Sequence, residues 1–413
     1  MGLGGALSPL RERPFRLLWL GRVSSAVGDA LVPVALAFAV LSVHNSYTAL
    51  GGVLAAFTIA RVAFTLVGGV VADRLPRRAV MLTCDLVRGA IEAFTAVMLL
   101  THEMTLPLFF VTAAGFGAAS AFFLPASDGL VPQAVSRANL QSANALLSTS
   151  RNALNVFGPV VSGTLIAAVG TGWVFAIDSA SFAVSAFFLL QLRVDSYARA
   201  ERQHFYRELR EGWSEVISRS WVRAPIIGFA ISNICFASFL VLGPVIFRNH
   251  LGGARDWGIV SACGAAGGIL GSLASVRFRP HRPLTACFIS STLIALPIAA
   301  LAGPLPMPAI AASWLVGFGA IVFANTYWET TLQRNIPEHV FSRVRSYDIL
   351  VSFVFMPIGM IAFGPIAQAV GFTPTLLGAA AVAVVTNIAV AVVPGVHAVV
   401  AEPQPLEVRP SAA

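Results

Sequence analysis

Charged side chains near the centres of long apolar segments, such as Asp29, Arg61 and Glu92, are the residues of this sequence most able to do chemistry. Asp85, Arg88 and Glu92 are spaced three and four residues apart, so a helix would place them on one face. A carboxylate beside an arginine in apolar surroundings can bind and release a proton, which changes the local net charge. We therefore predict that Asp29 or Glu92 takes up and releases a proton. Arg61 and Arg88 would hold the opposing charge.

The alternative is a static charge network that only fixes how the helices pack. Asp85 and Arg88, nearer the end of their segment, fit this alternative better, whereas Asp29 at mid-segment favours proton coupling. Ionisable groups at mid-membrane depth cost about 2.5–3.5 kcal/mol each on insertion scales and usually mark function. The second half of the chain carries charge only near segment ends, as at Glu329 and Asp348. We expect the first half to perform the coupling and the second to form a more neutral wall.

The composition indicates which elements must hold these residues. The chain has 413 residues, of which 57% are apolar and only 11% charged, and its mean hydropathy is +0.79. Soluble proteins carry about 25% charged residues, so this chain has too little charge to cover a water-facing surface. We predict an all-α integral membrane protein, which excludes a cytosolic enzyme, a disordered scaffold and a secreted disulfide framework. The four cysteines are isolated in apolar segments without a CxxC pair, and we expect no metal or redox site and no cofactor.

Apolar runs of the length that crosses a bilayer, about 20 residues, occur twelve times. Six lie in the first half of the chain, at 17–43, 48–72, 80–101, 107–124, 140–169 and 173–192. Six follow a central polar stretch, at 225–247, 257–276, 284–301, 308–328, 349–370 and 374–400. We therefore predict twelve transmembrane helices.

Arginine placement predicts the orientation of these helices, because cytoplasmic connections carry the excess of basic residues. All 27 basic residues are arginine, and 20 of them lie at the N-terminus or in the even-numbered connections. Only Arg248 and Arg255 lie in odd-numbered connections. We therefore predict a multi-pass protein of the cell's inner (cytoplasmic) membrane with both termini in the cytoplasm. The net charge of +8 follows from this bias, and we expect no nucleic-acid partner.

The two halves of the chain repeat each other. Gly158-Pro159 in the first half has its counterpart in Gly364-Pro365 in the second, in the same orientation. A parallel repeat of six helices is the architecture of transporters that rock two bundles around a central site. We predict two pseudo-symmetric six-helix bundles joined by a cytoplasmic linker with an amphipathic segment, the second bundle ending in a short cytoplasmic tail. The corresponding boundaries are 1–192, 193–222 and 223–413.

The connection between the second and third segments resembles the GxxxDRxGRR signature of the major facilitator superfamily. The matching residues are Gly69, Asp73, Arg74, Arg77 and Arg78. Proline stands at position 76, where the superfamily usually has glycine. The resemblance implies the twelve-helix major facilitator fold. It also implies that Asp73 docks on the cytoplasmic start of the eleventh segment, near residues 342–348, and latches the cytoplasmic gate when the transporter faces outward.

The fifth segment resembles the core of the superfamily's antiporter motif at Gly158, Pro159 and Gly163, although Leu154 stands where the upstream glycine belongs. Two interpretations stay open: a kinked, closely packed helix, and a tight, proton-impermeable seam between the halves of an exchanger. The stretches 123–126, 130–132 and 140–146 resemble bacterial exporters related to macrolide-efflux and enterobactin-export proteins. The resemblance therefore implies the drug and natural-product exporter branch of the superfamily.

Substrate contact in the second half is predicted for a polar and aromatic run in the tenth segment. Its members are Asn325, Tyr327, Trp328 and Glu329. The seven histidines are scattered without metal-ligand spacing.

These observations predict a proton-driven exporter of small amphipathic organic molecules, such as antibiotics, siderophores or other natural products, by alternating access. Its partners would be the small-molecule substrate, protons and the lipid bilayer, and we expect a functional monomer. A proton-coupled importer of a small nutrient on the same fold is the first alternative. A receptor or scaffold that transports nothing is the second. An enzyme is not expected, because the sequence shows no nucleophile–base pair, nucleotide-binding loop or metal cluster.

Overall fold

The computed structural model describes residues 7–194, 213–303 and 305–400, which form α-helices and short 3-10 turns without any strand. The first half forms α1 (Arg13–Asp29 and Val32–Val43), α2 (Tyr47–Arg74), α3 (Arg77–Leu100), α4 (Leu106–Ala134), α5 (Leu140–Val169) and α6 (Thr171–Gln191). The second half forms α7 (Ser220–His250), α8 (Gly253–Arg277), α9 (Pro283–Ser291 and Ala295–Ala300), α10 (Met307–Asn335), α11 (Glu338–Val354 and Met356–Val370) and α12 (Phe372–Ala391). The predicted all-α membrane fold of twelve transmembrane helices is confirmed.

Eleven of these helices are both long and apolar enough to cross a membrane. The remaining one, α3, has 24 residues but carries Asp85, Arg88 and Glu92, all of them buried. At 1.5 Å per residue this helix spans about 36 Å, more than the hydrocarbon thickness of a bilayer. Its lower hydropathy therefore comes from the charged residues that it holds inside the bundle.

Helices α10 and α11 extend further towards each other than the apolar runs predict. The tenth and eleventh runs end at 328 and begin at 349, but α10 continues to Asn335 and α11 begins at Glu338. Hydropathy underestimates both helices because their turns near the membrane boundary are polar and charged. In contrast, α12 is shorter than predicted: it ends at Ala391 and not at 400, and a separate short helix follows at Pro394–His397.

Three helices are interrupted where a proline removes a backbone donor. In α1 the interruption comes at Ala30 and Leu31, and Pro33 has no N–H to donate to the carbonyl of Asp29. In α11 it comes at Phe355, two residues before a proline, and α9 passes through the 3-10 turn Thr292–Ile294. The break in α1 places the Asp29 carboxyl at the end of a helix.

Within each half the helices pack in a similar way. In the first half α2 packs on α4, and α6 packs on both α1 and α3. In the second half α8 packs on α10, and α12 packs on both α7 and α9. The halves meet along two helix pairs, α5 with α8 and α2 with α11.

We call the end of the bundle where α1 begins and α2 ends the arginine-rich end, and the other the opposite end. At two points of the opposite end the helix backbones of the two halves approach so closely that a glycine cannot be replaced by a residue with a side chain. A Cβ atom on Gly51 of α2 would lie 2.0 Å from the carbonyl oxygen of Met360 in α11. A Cβ on Gly163 of α5 would lie 2.3 Å from that of Ala254 in α8. Small residues permit such contacts between membrane helices, and here they close the opposite end.

The division into two bundles and a linker stays a prediction. Residues 195–212, which include most of the expected amphipathic segment, lie outside the described part of the chain.

Candidate functional site

Arg88 lies at the centre of a group of acidic side chains contributed by α1, α3 and α6. Its Nη2 donates to Oδ1 of Asp85 at 2.6 Å, and its Nη1 donates to Oδ2 of Asp29 at 3.2 Å. Its side chain is only 2% exposed. The rings of Phe123 and Phe182 lie 4.2 and 4.4 Å from its guanidinium carbon, which adds cation–π attraction. Arg88 is therefore held firmly. Its two carboxylate partners differ in their exposure and in their hydrogen bonds.

Asp85 is the fully satisfied partner. Its side chain is completely buried, one oxygen accepts from Arg88, and the other accepts from the hydroxyl of Ser185 at 2.6 Å. Short charge-assisted hydrogen bonds on both oxygens stabilise an ionised carboxylate. This geometry supports the static interpretation that the sequence favoured for Asp85 and Arg88.

Asp29 is the looser partner. Its contacts with Arg88 measure 3.2 and 3.4 Å, and 37% of its side chain is exposed. It lines a cavity of about 800 Å³ at the point where α1 is interrupted. A carboxyl group that touches both water and a buried arginine can exchange a proton with the cavity and change its attraction to the arginine.

Glu92 and Asp178 complete the group, and both are buried. Glu92 Oε2 and Asp178 Oδ2 have no hydrogen-bond partner, while Asp178 Oδ1 accepts from Ser181 at 3.3 Å. A Cβ atom on Gly28 would lie 1.8 Å from Asp178 Oδ1, so only glycine lets α1 approach this carboxyl. Asp178 lies inside the sixth apolar run, and no role was predicted for it from the sequence, although an acid inside an apolar run was the same signal that identified Asp29.

The cavity lies in the first half of the molecule. In the part of the chain that the structure describes, its lining comes from residues between 22 and 175. Arg61 lines it, as does Arg22, which pairs with Asp128 at 3.1 Å. Aromatic side chains such as Phe57 and Phe116 line the same space. Polar and apolar walls together suit an amphipathic small molecule.

The cavity opens towards the arginine-rich end. Asp128, Asn144 and Ser148, which line it on that side, are exposed or partly exposed. Leu36 and Leu54, which line it towards the opposite end, are only partly exposed, and the glycine contacts between the halves lie beyond them.

The arginines of the connection between α2 and α3 bind within the first half. Arg77 donates to the backbone carbonyl of Gly129 in α4. Arg78 donates to the carbonyls of Leu189 and Leu190 in α6, each at 2.7 Å. Arg74 is exposed. The side chain of Asp73 and the environment of Gly69 lie outside what the structure describes, so the docking of Asp73 on α11 stays a prediction.

The antiporter-like motif of α5 packs on both α1 and α8. A Cβ on Gly158 would lie 2.5 Å from the Cβ of Ala30, at the interruption of α1. The hydroxyl of Ser162 donates to the carbonyl of Leu31 at 2.7 Å. On the other side, a Cβ on Gly258 of α8 would lie 2.3 Å from the carbonyl oxygen of Pro159. The motif therefore lies between the helix break beside Asp29 and the contact between the halves.

The substrate-contact candidates of α10 lie elsewhere. Trp328 is buried and donates from Nε1 to Oδ2 of Asp348 at 3.0 Å, and Tyr327 donates to the carbonyl of Phe278. Glu329 pairs with Arg345, and Asn325 is exposed. None of the four lines the described cavity, and their role in substrate contact stays a prediction.

Comparisons with known proteins agree with this architecture. The family model described as transmembrane secretion effector matches residues 4–406. The multidrug efflux pump Tap of Mycolicibacterium fortuitum is 26% identical over 385 residues, which cover 89% of this chain and 92% of Tap. The enterobactin exporter EntS of Shigella boydii is 26% identical over 347 residues, 82% of each chain.

Among solved structures, a mutant of the nucleoside transporter NupG superposes with a TM-score of 0.78 at 15% identity, covering 92% of this chain and 98% of NupG. At that identity the likeness establishes the fold alone, which is that of the major facilitator superfamily. The match over almost the whole length establishes the family. The chain therefore belongs to the transmembrane secretion effector family of major facilitator transporters.

Proposed function

We propose that this transporter is a proton-driven exporter of small amphipathic organic molecules. The observation that carries the proposal is the contact between Asp29 and Arg88 on the wall of the cavity. Tap is a multidrug efflux pump and EntS an enterobactin exporter, and their similarity to this chain supports export over import.

Proton binding at Asp29 would act through charge. When Asp29 accepts a proton at Oδ2, it loses its negative charge and its ionic attraction to Arg88, which keeps its shorter contact with Asp85. Asp29 ends the first part of α1, and the next residue, Ala30, packs on Gly158 of α5. A change in the Asp29–Arg88 contact would therefore reach the packing of α1 on α5, and through α5 the contact with α8.

The two ends of the molecule would open in turn. With the arginine-rich end in the cytoplasm, as the sequence predicts, the cavity is open to the cytoplasm and ready to accept a substrate. The reverse state would separate the glycine contacts at the opposite end and close the arginine-rich end, where Asp73 would dock on α11. We assign substrate contact first to the wall that includes Phe57, Phe116 and Phe123.

The test uses inverted membrane vesicles that are acidified inside and loaded with a pH-sensitive dye. A panel of amphipathic antibiotics, siderophores and dyes is added to wild type and to Asp29→Asn. We expect proton release in the wild type with some members of the panel. In Asp29→Asn the release should fall by at least about tenfold, within the range of coupling free energies between two sites.

Asp256→Asn is the matched control. Asp256 lies at the start of α8 at the opposite end and accepts from the backbone N–H of Gly252, which asparagine can also do. This variant should release protons like the wild type. Full proton release in folded Asp29→Asn would refute the assignment of Asp29. Compound-driven proton movement in the reverse direction only would favour the importer.

A further inference from the structure

The acidic group has more negative charge than its arginine can balance. Asp29, Asp85, Glu92 and Asp178 all interact electrostatically with the Arg88 guanidinium, and all but Asp29 are buried. Ionised carboxylates are not buried without a partner, because water no longer compensates their charge. The four carboxyl groups therefore cannot all be ionised.

Arg88 is already engaged by two of these groups. Asp85 and Asp29 accept its hydrogen bonds, and Arg61 is the other base that acts on Asp29. The negative charges of these two carboxylates balance the positive charges of the two guanidinium groups. Within the described residues, no basic side chain forms an ion pair with Glu92 or Asp178, which leaves these two as the surplus.

Each surplus group also has one oxygen without a hydrogen-bond donor. Glu92 Oε2 and Asp178 Oδ2 are both buried without a partner. Two ionised carboxylates here would repel each other. A carboxyl group that holds a proton is neutral and gains a donor of its own, so protons satisfy both the charge and the missing hydrogen bonds.

The two surplus groups lie at different distances from the water-accessible cavity. Glu92 touches the cavity, although only 3% of it is exposed. Asp178 is fully buried behind Gly28, the residue before Asp29. Of the acidic group, Asp29 and Glu92 line the cavity and Asp178 does not, so we place Asp178 behind them on the path of a proton.

We propose that Glu92 and Asp178 form a second proton-binding site behind Asp29, and that Asp178 is its inner member. The role of this site in transport rests on the proposed proton coupling, whereas the presence of the bound protons does not. When the site is loaded, Asp29 and Asp85 balance Arg61 and Arg88. When the O–H bond of Glu92 breaks, its proton passes to cavity water and the carboxylate keeps the electron pair.

A second transported proton would raise the attainable substrate gradient. Each proton that moves down a gradient of one pH unit supports about a tenfold concentration ratio of substrate, so two support about a hundredfold ratio. The second site would therefore strengthen export without a change of substrate contacts.

The test measures the carboxyl protons directly by infrared spectroscopy of purified protein in lipid at neutral pH. The carbonyl-stretch band of protonated carboxylic acids, with its shift in D₂O, is recorded for wild type, Glu92→Gln and Asp178→Asn. We expect the band in the wild type. Each variant should lose roughly half of it, because the two carboxyl groups hold the bound protons as a pair. Glu103→Gln, at an exposed position between α3 and α4, is the matched control and should keep the band.

Selective ¹³C labelling of aspartate or glutamate carboxyls in the wild type separates the two groups without any substitution. A downshift of part of the band under each label would support the pair, even if one variant fails to fold. A wild-type band that neither label moves, or that both folded variants retain in full, would overturn the second site. The vesicle assay reads the proposed function separately, because bound protons give this band whether or not the chain moves them.

Discussion

Each half of the transporter has a cluster of acidic side chains beside an arginine. Only in the second half do all the buried carboxylate oxygens of the cluster have hydrogen-bond donors. In the second half, Asp348 accepts hydrogen bonds from Arg345 at 2.6 Å, Trp328 at 3.0 Å and Ser352 at 3.4 Å. The same arginine also pairs with Glu329. Both oxygens of Asp348 therefore have donors, and the more exposed Glu329 pairs with the same arginine.

The first half holds four acids around one buried arginine. Asp85 has donors on both oxygens, whereas Glu92 and Asp178 each leave one buried oxygen without a partner. Asp29 faces the cavity at a longer distance from Arg88.

This difference in hydrogen bonding supports a structural role for the second cluster and the proposed proton coupling for the first. In the second half, Trp328 and Glu329 of α10 bind Asp348 and Arg345 of α11, so the satisfied group holds these two helices together. An unsatisfied group gains when it binds protons, so its charge follows the proton concentration in the cavity. The comparison favours proton coupling in the first half, as the sequence predicted from the position of its charges.

The largest difference is expected between the two arginines. In Arg88→Gln, Asp85 remains buried without its ionic partner, and we expect a loss of about 3–5 kcal/mol of unfolding free energy together with loss of transport. In Arg345→Gln the loss should be about 1 kcal/mol, because Arg345 is 33% exposed and Asp348 keeps Trp328 as a donor. Denaturation in mild detergent measures both. Equal losses would contradict the distinction between the two groups.

A smaller effect is expected from one added methyl group. Gly28→Ala forces the methyl against Asp178 Oδ1 and should cost about 1–3 kcal/mol while it reduces transport severalfold. Gly378→Ala in α12 is the control, because no atom lies within 4 Å of the added Cβ. Alanine there should be neutral or stabilising by up to about 1 kcal/mol. Thermal unfolding and vesicle transport measure both variants, and equal behaviour would argue against close packing of Asp178 on α1.

The smallest effect concerns a satisfied carboxylate outside the membrane. Glu12 accepts from the amide of Asn139 at 2.7 Å and from Ser136 at 2.8 Å. The hydrogen bond from Asn139, with those from Ser136, lowers the pKa of Glu12 below its ordinary 4.5. This contribution to stability is present above that ordinary pKa and is lost as the pH falls through the lower folded-state value.

Glu12→Gln should therefore unfold at a slightly lower temperature than wild type at neutral pH, and the gap should close as the medium becomes more acidic than the ordinary carboxyl pKa. Thermal unfolding across a pH series measures this. A gap that widens on acidification would mean that the carboxylate is not stabilised in the folded state.

Much of the fold follows from the amino-acid sequence. Apolar runs of bilayer length require helices, because lipid offers no partner to an unpaired backbone group, and twelve runs predicted twelve helices. The ends at Asn335 and Glu338 were missed, because polar turns at the membrane boundary carry no apolar signal. The proline that interrupts α1 after Asp29 was visible in the sequence, but its effect on the helix was not predicted.

The sequence by itself determined the membrane class, the helices and the presence of costly charges among them, because these depend on composition and on local spacing. Only the tertiary structure decided which charges meet. Arg22 shares a helix face with Asp29 but pairs with Asp128 of α4, while Asp29 contacts Arg88 of α3. Ion pairs between helices depend on the rotation and depth of each helix, which are set by close contacts such as that of Gly28 with Asp178 and are not encoded in spacing along one chain segment.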